Sequence, residues 1–157
     1  MSIRVRRATK ADAAAIAKLA VALFELHVEW DPKRFTQLAT LEGAEWFYGE
    51  RTETQNAAVV VAELDDRVVG FAYAQFEPTL YAELAVKVLW LHDLYVDETA
   101  RRVGAGRSLL GAVRREAVRF GANKVLLSVA ARNAAGKKFF ERNGFGTTMH
   151  EMMFAIE

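Results

Sequence analysis

The stretch Leu89 to Phe120, LWLHDLYVDETARRVGAGRSLLGAVRREAVRF, limits the fold more than any other part of the chain. Leu89 to Val96 has the length and the apolar, aromatic composition of a buried strand. A polar turn follows, ending in Arg101-Arg102-Val103-Gly104-Ala105-Gly106. Leu109, Val113, Ala117 and Phe120, with Leu110 beside them, then recur at helical spacing and mark one apolar face. A strand that passes through a Gly-rich, Arg-flanked turn into a helix offers free backbone N–H groups and a positive dipole end to an anion. Glycine has no Cβ, so the main chain there can come close to phosphate oxygens. Two well-known phosphate loops do not fit. The dinucleotide fingerprint needs a third small residue where Leu109 stands. The nucleotide-triphosphate loop needs Gly-Lys-Ser/Thr, whereas Gly106 is followed by Arg107 and Ser108. Taken alone, a Gly-x-Gly turn also serves as a plain tight bend into a helix, and the rest of the chain has to decide between the two.

The 157 residues, 52% of them apolar, are expected to form a single domain over residues 1–157. A chain of that size buries roughly 70% of its extended surface, so one core suffices without staples. The sequence contains no cysteine, which removes disulfides, thiolate nucleophiles and cysteine metal sites together. With His27, His92 and His150 as its only histidines, it is not expected to hold zinc. MSIRVRRATKAD lacks the apolar core of a signal peptide, and no segment is long and apolar enough to span a bilayer. The expectation is a cytoplasmic protein with no membrane partner. The net charge of +1 hides a division. Residues 101–142 carry eleven Lys or Arg against Glu116 and Glu141, while residues 1–100 carry ten basic and sixteen acidic side chains. A near-neutral total argues against a nucleic-acid partner. A basic half beside an acidic half suits a protein that holds a polyanion on one side and a cation on the other, although an unevenly charged solvated surface looks the same in a count.

Ile3 to Arg7 alternates as a half-buried strand would. Thr9 and Asp12 form a capping box before a helix with the stripe Ile16, Leu19, Ala20, Leu23 and His27, ending near Asp31-Pro32. Residues 30–55 read as a second, irregular helix whose aromatics either pack on the sheet or line a cleft, with packing favoured. Ala57 to Glu63 and Val68 to Phe76 flank the turn pair Asp65-Asp66 and predict a hairpin. A variable segment through Tyr81 and Glu83 leads to the central strand. Lys124 to Ala130 predicts another strand, Asn133 caps a helix over Ala134 to Arg142, and Phe145 to Thr148 with Met149 to Ile156 read as a closing pair of strands. The order β-α-α-β-β-β-α-β-α-β-β describes an α/β fold, with a mixed, mostly antiparallel sheet and helices on both faces.

These residues carry a resemblance to the GNAT superfamily of N-acetyltransferases. Its signature Gln/Arg-x-x-Gly-x-Gly/Ala is matched by Arg101-x-x-Gly104-x-Gly106, between the central strand and the third helix. A second motif, Asn-x-x-Ala/Gly-x-x-Phe-Tyr-x-x-x-Gly-Phe, reads here as Asn133, Gly136, Phe139, Phe140, Gly144 and Phe145 at the same spacing. Within the superfamily, IRVRRATKADAAAIAKLA and LWLHDLYV are most similar to the spermidine/spermine (diamine) and thialysine acetyltransferases.

The resemblance implies acetyl-CoA as co-substrate and a small-molecule amine, polyamine-like or amino-acid-like, as acceptor. A protein amine or an aminoglycoside as acceptor, or a non-catalytic acyl-CoA sensor, are the alternatives. Backbone amides from Arg102 through Val103, Gly104, Ala105 and Gly106 to Arg107 would cradle the pyrophosphate, with Arg101 adding charge. Leu94, Tyr95 and Val96 would bond the pantetheine arm, and Asn133 would add a side-chain contact. Lys137, Lys138 or Arg132 would meet the outer phosphate. An alkylammonium with a pKa of roughly 10 has no lone pair for attack, so a base must take its proton. His92 is the candidate, with a satisfied core histidine as its other role. Asp93 would orient His92, bind the acceptor cation or be bonded at the strand. Glu25, Glu29, Asp31, Glu77 and Glu83 are candidates for the acceptor mouth. Phe140 stands where much of the family has a tyrosine acid for the departing thiolate. Unassisted departure, substitution by Tyr95 or Tyr81, and binding without efficient turnover all follow from that difference. The resemblance also implies a homodimer through the last strands.

Overall fold

The structure, a computed structural model, describes residues 2–37, 39–77 and 87–156. Its sheet runs β1 (Ile3–Arg7), β2 (Ala57–Leu64), β3 (Arg67–Glu77), β4 (Val88–Val96) and β5 (Lys124–Leu127), in that spatial order. The first three pairings are antiparallel and β4–β5 is parallel. The helices are α1 (Ala13–Trp30), α2 (Leu41–Thr52), α3 (Ala105–Phe120) and α4 (Ala134–Arg142). This is the mixed, mostly antiparallel α/β architecture expected from the sequence.

Local chemistry accounts for the elements. Asp65 and Asp66 both adopt positive φ, 51° and 60°, as the two central residues of a turn that matches the twist of a tight hairpin. Thr40 accepts the Gly43 N–H at 3.0 Å and starts α2. The α1 stripe Ile16, Leu19, Ala20 and Leu23 is buried. It packs with Tyr48 of α2 against Val61, Phe71 and Tyr73 on one face of the sheet. On the other face Leu109, Leu110, Val113 and Ala117 of α3 meet Val60, Ala72 and Leu89. Each fully buried Leu or Phe contributes about 1.5–3 kcal/mol. Glu116 of α3, buried at this layer's rim, accepts from Arg7 at 2.6 and 2.8 Å and from Arg119 at 2.7 Å. Burial alone would raise its carboxyl, but the two arginines hold it below the usual carboxylate range.

Two irregularities shape the site. Tyr73 pairs with Asp93 and Ala74 with Leu91, so His92 is an extra residue in β4, a β-bulge. The β4–β5 ladder stops at Leu91↔Leu127, level with that bulge. The strand expected over Lys124 to Ala130 therefore ends at Leu127, and β4 continues alone on that side.

The two closing strands expected over Phe145–Thr148 and Met149–Ile156 are not formed. An alternating pattern supplies strand propensity, but a strand also needs a ladder partner for its backbone. Here Arg34 Nε bonds Glu151 Oε1 at 2.5 Å and ties the segment to the loop after α1. Met152, Phe154 and Ile156 stay 92%, 87% and 88% exposed.

Candidate active site

Side chains alternate across a strand, so consecutive residues normally face opposite ways. The bulge breaks that rule. Leu91 and Leu94 pack on the α3 side, while His92 and Asp93, between them, both turn to the α1–α2 side. His92 stacks on Tyr73 with ring centroids 5.4 Å apart and 26° between planes. Asp93 accepts a 2.7 Å hydrogen bond from the Tyr48 hydroxyl. No hydrogen bond joins His92 to Asp93 among the described residues. Burial pushes the Asp93 carboxyl above its ordinary range, opposed in part by Tyr48 and by the positive charge available on His92 and His27. The same burial, with the adjacent carboxylate, pushes the Tyr48 hydroxyl far up, so it remains a donor. These groups line a cavity of about 510 Å³ with Phe24, Phe47 and the first turn of α2. Glu25, Glu29, Asp31 and Glu77 do not line it, and Asp31 instead accepts from the Lys33 and Arg34 amides. Tyr81 and Glu83 lie outside the described residues.

The edge of β4 that β5 leaves is the second part. Leu94, Tyr95 and Val96 pair with Ala72, Phe71 and Gly70 of β3, and β5 no longer reaches them. Their main-chain groups on that side are available to an extended ligand that adds itself as a strand. The third part is the turn into α3. Arg102 has φ 73° and Gly104, its N-cap, φ 86°. No backbone hydrogen bond among the described residues takes the N–H groups of Arg102 to Arg107. Six donors at a helix N-terminus form an anion cradle. Arg101 is engaged locally. Its Nε donates to the Val96 carbonyl at 3.0 Å and its guanidinium lies 5.4 Å from the Tyr95 ring, holding the turn against β4.

The two sequence motifs meet physically. A Cβ on Gly106 would lie 3.0 Å from Cζ of Phe139, so the turn packs on the α4 ring only because residue 106 has no side chain. Asn133 Oδ1 accepts the Gly136 N–H at 2.9 Å and caps α4, which occupies the oxygen of a side chain expected to touch the cofactor. Arg132 donates to the Trp30 carbonyl at 2.9 Å. Phe140 sits between Phe139 and Phe145, with centroids at 5.3 and 5.7 Å, on the α3 side. Tyr95 packs on the opposite face, with the α1–α2 core. The two rings are separated by the sheet.

The sequence profile of the acetyltransferase (GNAT) family matches residues 20–145. The chain belongs to that family. It is 32% identical, over 91% of its own length and 89% of the relative's, to an uncharacterized N-acetyltransferase, YhfO, of Bacillus subtilis strain 168. Among solved structures it resembles the BH1408 protein of Bacillus halodurans, with a TM-score of 0.83, 21% identity, and 98% and 99% of the two chains covered. It also resembles the aminoglycoside N-acetyltransferase AAC(6')-Iy solved in complex with CoA, with a TM-score of 0.78, 17% identity, and 98% and 94% covered. This acetyltransferase therefore has the family's activity and its donor, acetyl-CoA. The free N–H cradle and the open β4 edge fit that donor's anionic and extended parts.

Sequence reasoning missed Tyr48 and Tyr73. Both lie in runs that read as core, and Tyr48 is indeed buried; what no local pattern signals is a hydroxyl aimed at a carboxylate 45 positions away. Among the described residues no cluster suits a metal, and no helix is long and apolar enough to cross a membrane.

Proposed function

We propose that this acetyltransferase acts on a primary amine of a small molecule. The observation that carries the reading is the coincidence of the His92 bulge with the end of the β4–β5 ladder. One extra residue turns two polar side chains into a cavity on one face and stands level with the place where a donor edge is left open. Acetyl-CoA supplies a thioester already activated toward an amine. The amides of Arg102 to Arg107 hold its diphosphate, and Leu94, Tyr95 and Val96 align its arm, their N–H groups facing developing negative charge. A ring nitrogen of His92 takes the proton of the incoming ammonium, a step typically worth about 10²–10⁴ in rate. Asp93, steadied by Tyr48, attracts that cation. Phe140 has no proton to give, so the thiolate departs unassisted, which a thiol pKa of roughly 8.5 tolerates.

A cavity of about 510 Å³ set back between α1, α2 and the sheet favours a small molecule over a protein amine. Polyamine-like and amino-acid-like acceptors follow from the narrower sequence likeness, and an aminoglycoside from the neighbour AAC(6')-Iy. The exposed alternation Met152, Phe154, Ile156 and the outer edge of β5 in each copy supply both halves of a strand pairing, so a second copy of this chain is the partner proposed for that segment.

Thiol release from acetyl-CoA against a panel of amines tests the reading, with the melting shift caused by CoA measured in parallel. Amine-dependent release is expected. Tight CoA binding with no release for any amine would instead make the chain an acyl-CoA sensor.

A further inference from the structure

We propose that the acceptor is an apolar monoamine, an alkyl- or arylalkylamine carrying a single ammonium group next to a neutral body. This rests on the acyl-transfer reading of the same site and narrows it.

Among the described lining residues, Asp93 carries the one carboxylate. None of the ion pairs among the described residues includes it, and its hydrogen bond comes from a neutral phenol. A half-buried carboxylate without a Lys or Arg leaves room for one cation from outside. The walls around it are rings. Tyr48 and Tyr73 meet edge to face at 5.9 Å, Phe47 and Tyr73 at 5.7 Å, and Phe24 completes the side toward α1. Ring faces attract an ammonium and shed water from the methylenes behind it.

That arrangement discriminates by charge count. A spermidine molecule brings further ammonium groups that would leave water for ring edges without a second acid. An amino-acid zwitterion would bring its own carboxylate beside Asp93. An aminoglycoside adds several ammoniums and hydroxyls to a wall with few acceptors. An amine such as phenethylamine or hexylamine meets none of these costs.

The full-length protein with acetyl-CoA should acetylate phenethylamine and hexylamine with kcat/KM about tenfold or more above spermidine, phenylalanine and kanamycin. Thr40→Asp adds a sharper test. Asp serves as an N-cap as Thr40 does, so α2 keeps its start while the cavity mouth gains a second carboxylate. The ratio of 1,6-diaminohexane to hexylamine turnover should then rise about threefold. A wild-type preference for spermidine or kanamycin would overturn the substrate class and leave acyl transfer standing. Calorimetric titration of phenethylamine and spermidine without acetyl-CoA keeps the two readings separable. Tighter phenethylamine binding supports the pocket assignment even if no amine is turned over, and equal or reversed affinities overturn it.

Discussion

Replacing Gly136 with alanine would ordinarily strengthen a helix by up to about 1 kcal/mol, the propensity difference between the two residues. Here the geometry reverses the outcome. A Cβ at residue 136 would lie 2.3 Å from Nδ2, 2.7 Å from Cγ and 2.8 Å from Oδ1 of Asn133, the residue that caps the same helix. The side chain of Asn133 has to leave, and the lost cap costs about 1 kcal/mol, cancelling the propensity gain. In an Asn133→Ala background nothing remains to clash, and Gly136→Ala should then stabilise by the full amount. The expected coupling is about 1 kcal/mol, which for a chain of this length is a difference of about 2–4 °C in melting temperature. The assay is thermal unfolding of the wild type, both single variants and the double variant. An equal rise for Gly136→Ala in both backgrounds would refute the steric account of the Asn-x-x-Gly spacing.

His92→Ala should lower kcat, and the deficit should shrink as pH rises and more of the amine loses its proton in solution; a parallel pH–rate profile removes the base assignment. Phe140→Tyr should leave CoA binding unchanged and turnover equal or faster, because the ring stays between Phe139 and Phe145; a large loss of activity contradicts unassisted thiolate departure. Asp93→Asn follows from a raised carboxyl. A group whose folded value is raised contributes stability below its unfolded value, about 3.9, and loses it as pH climbs through the folded one. The asparagine variant should therefore melt higher than wild type at pH 7, with the gap closing toward pH 4, while its acetyl transfer falls. A gap that does not change with pH rules this out.

The elements that were legible in advance are those whose signal is local. Ile16, Leu19, Ala20 and Leu23 repeat every three or four residues, and Asp65-Asp66 tolerates the left-handed turn a hairpin needs. The anion cradle was legible too, because a Gly-rich helix start is written in consecutive residues. Where the reading fell short, the cause lies elsewhere in the chain. Lys124 to Ala130 looks uniformly strand-like, yet its ladder ends at Leu127, opposite the stretch where β4 carries its extra residue. The alternation in Met149 to Ile156 is genuine, but pairing depends on what lies alongside. Arg34, well over a hundred positions earlier, holds Glu151 instead. The contact between Tyr48 and Asp93 joins α2 to β4, and only the folded sheet brings them together.

Strand parity gives the bulge one more consequence. His92 is the odd residue in β4, and everything after it is phased by its presence. Substituting position 92 changes one side chain. Deleting it would swap the two faces for Asp93 through Val96, sending a carboxylate and a phenol into the α3 core and leaving Leu94 and Val96 against α1 and α2. At this position, spacing matters to the fold more than identity, so tolerance of many replacements and intolerance of a single-codon deletion should coexist there.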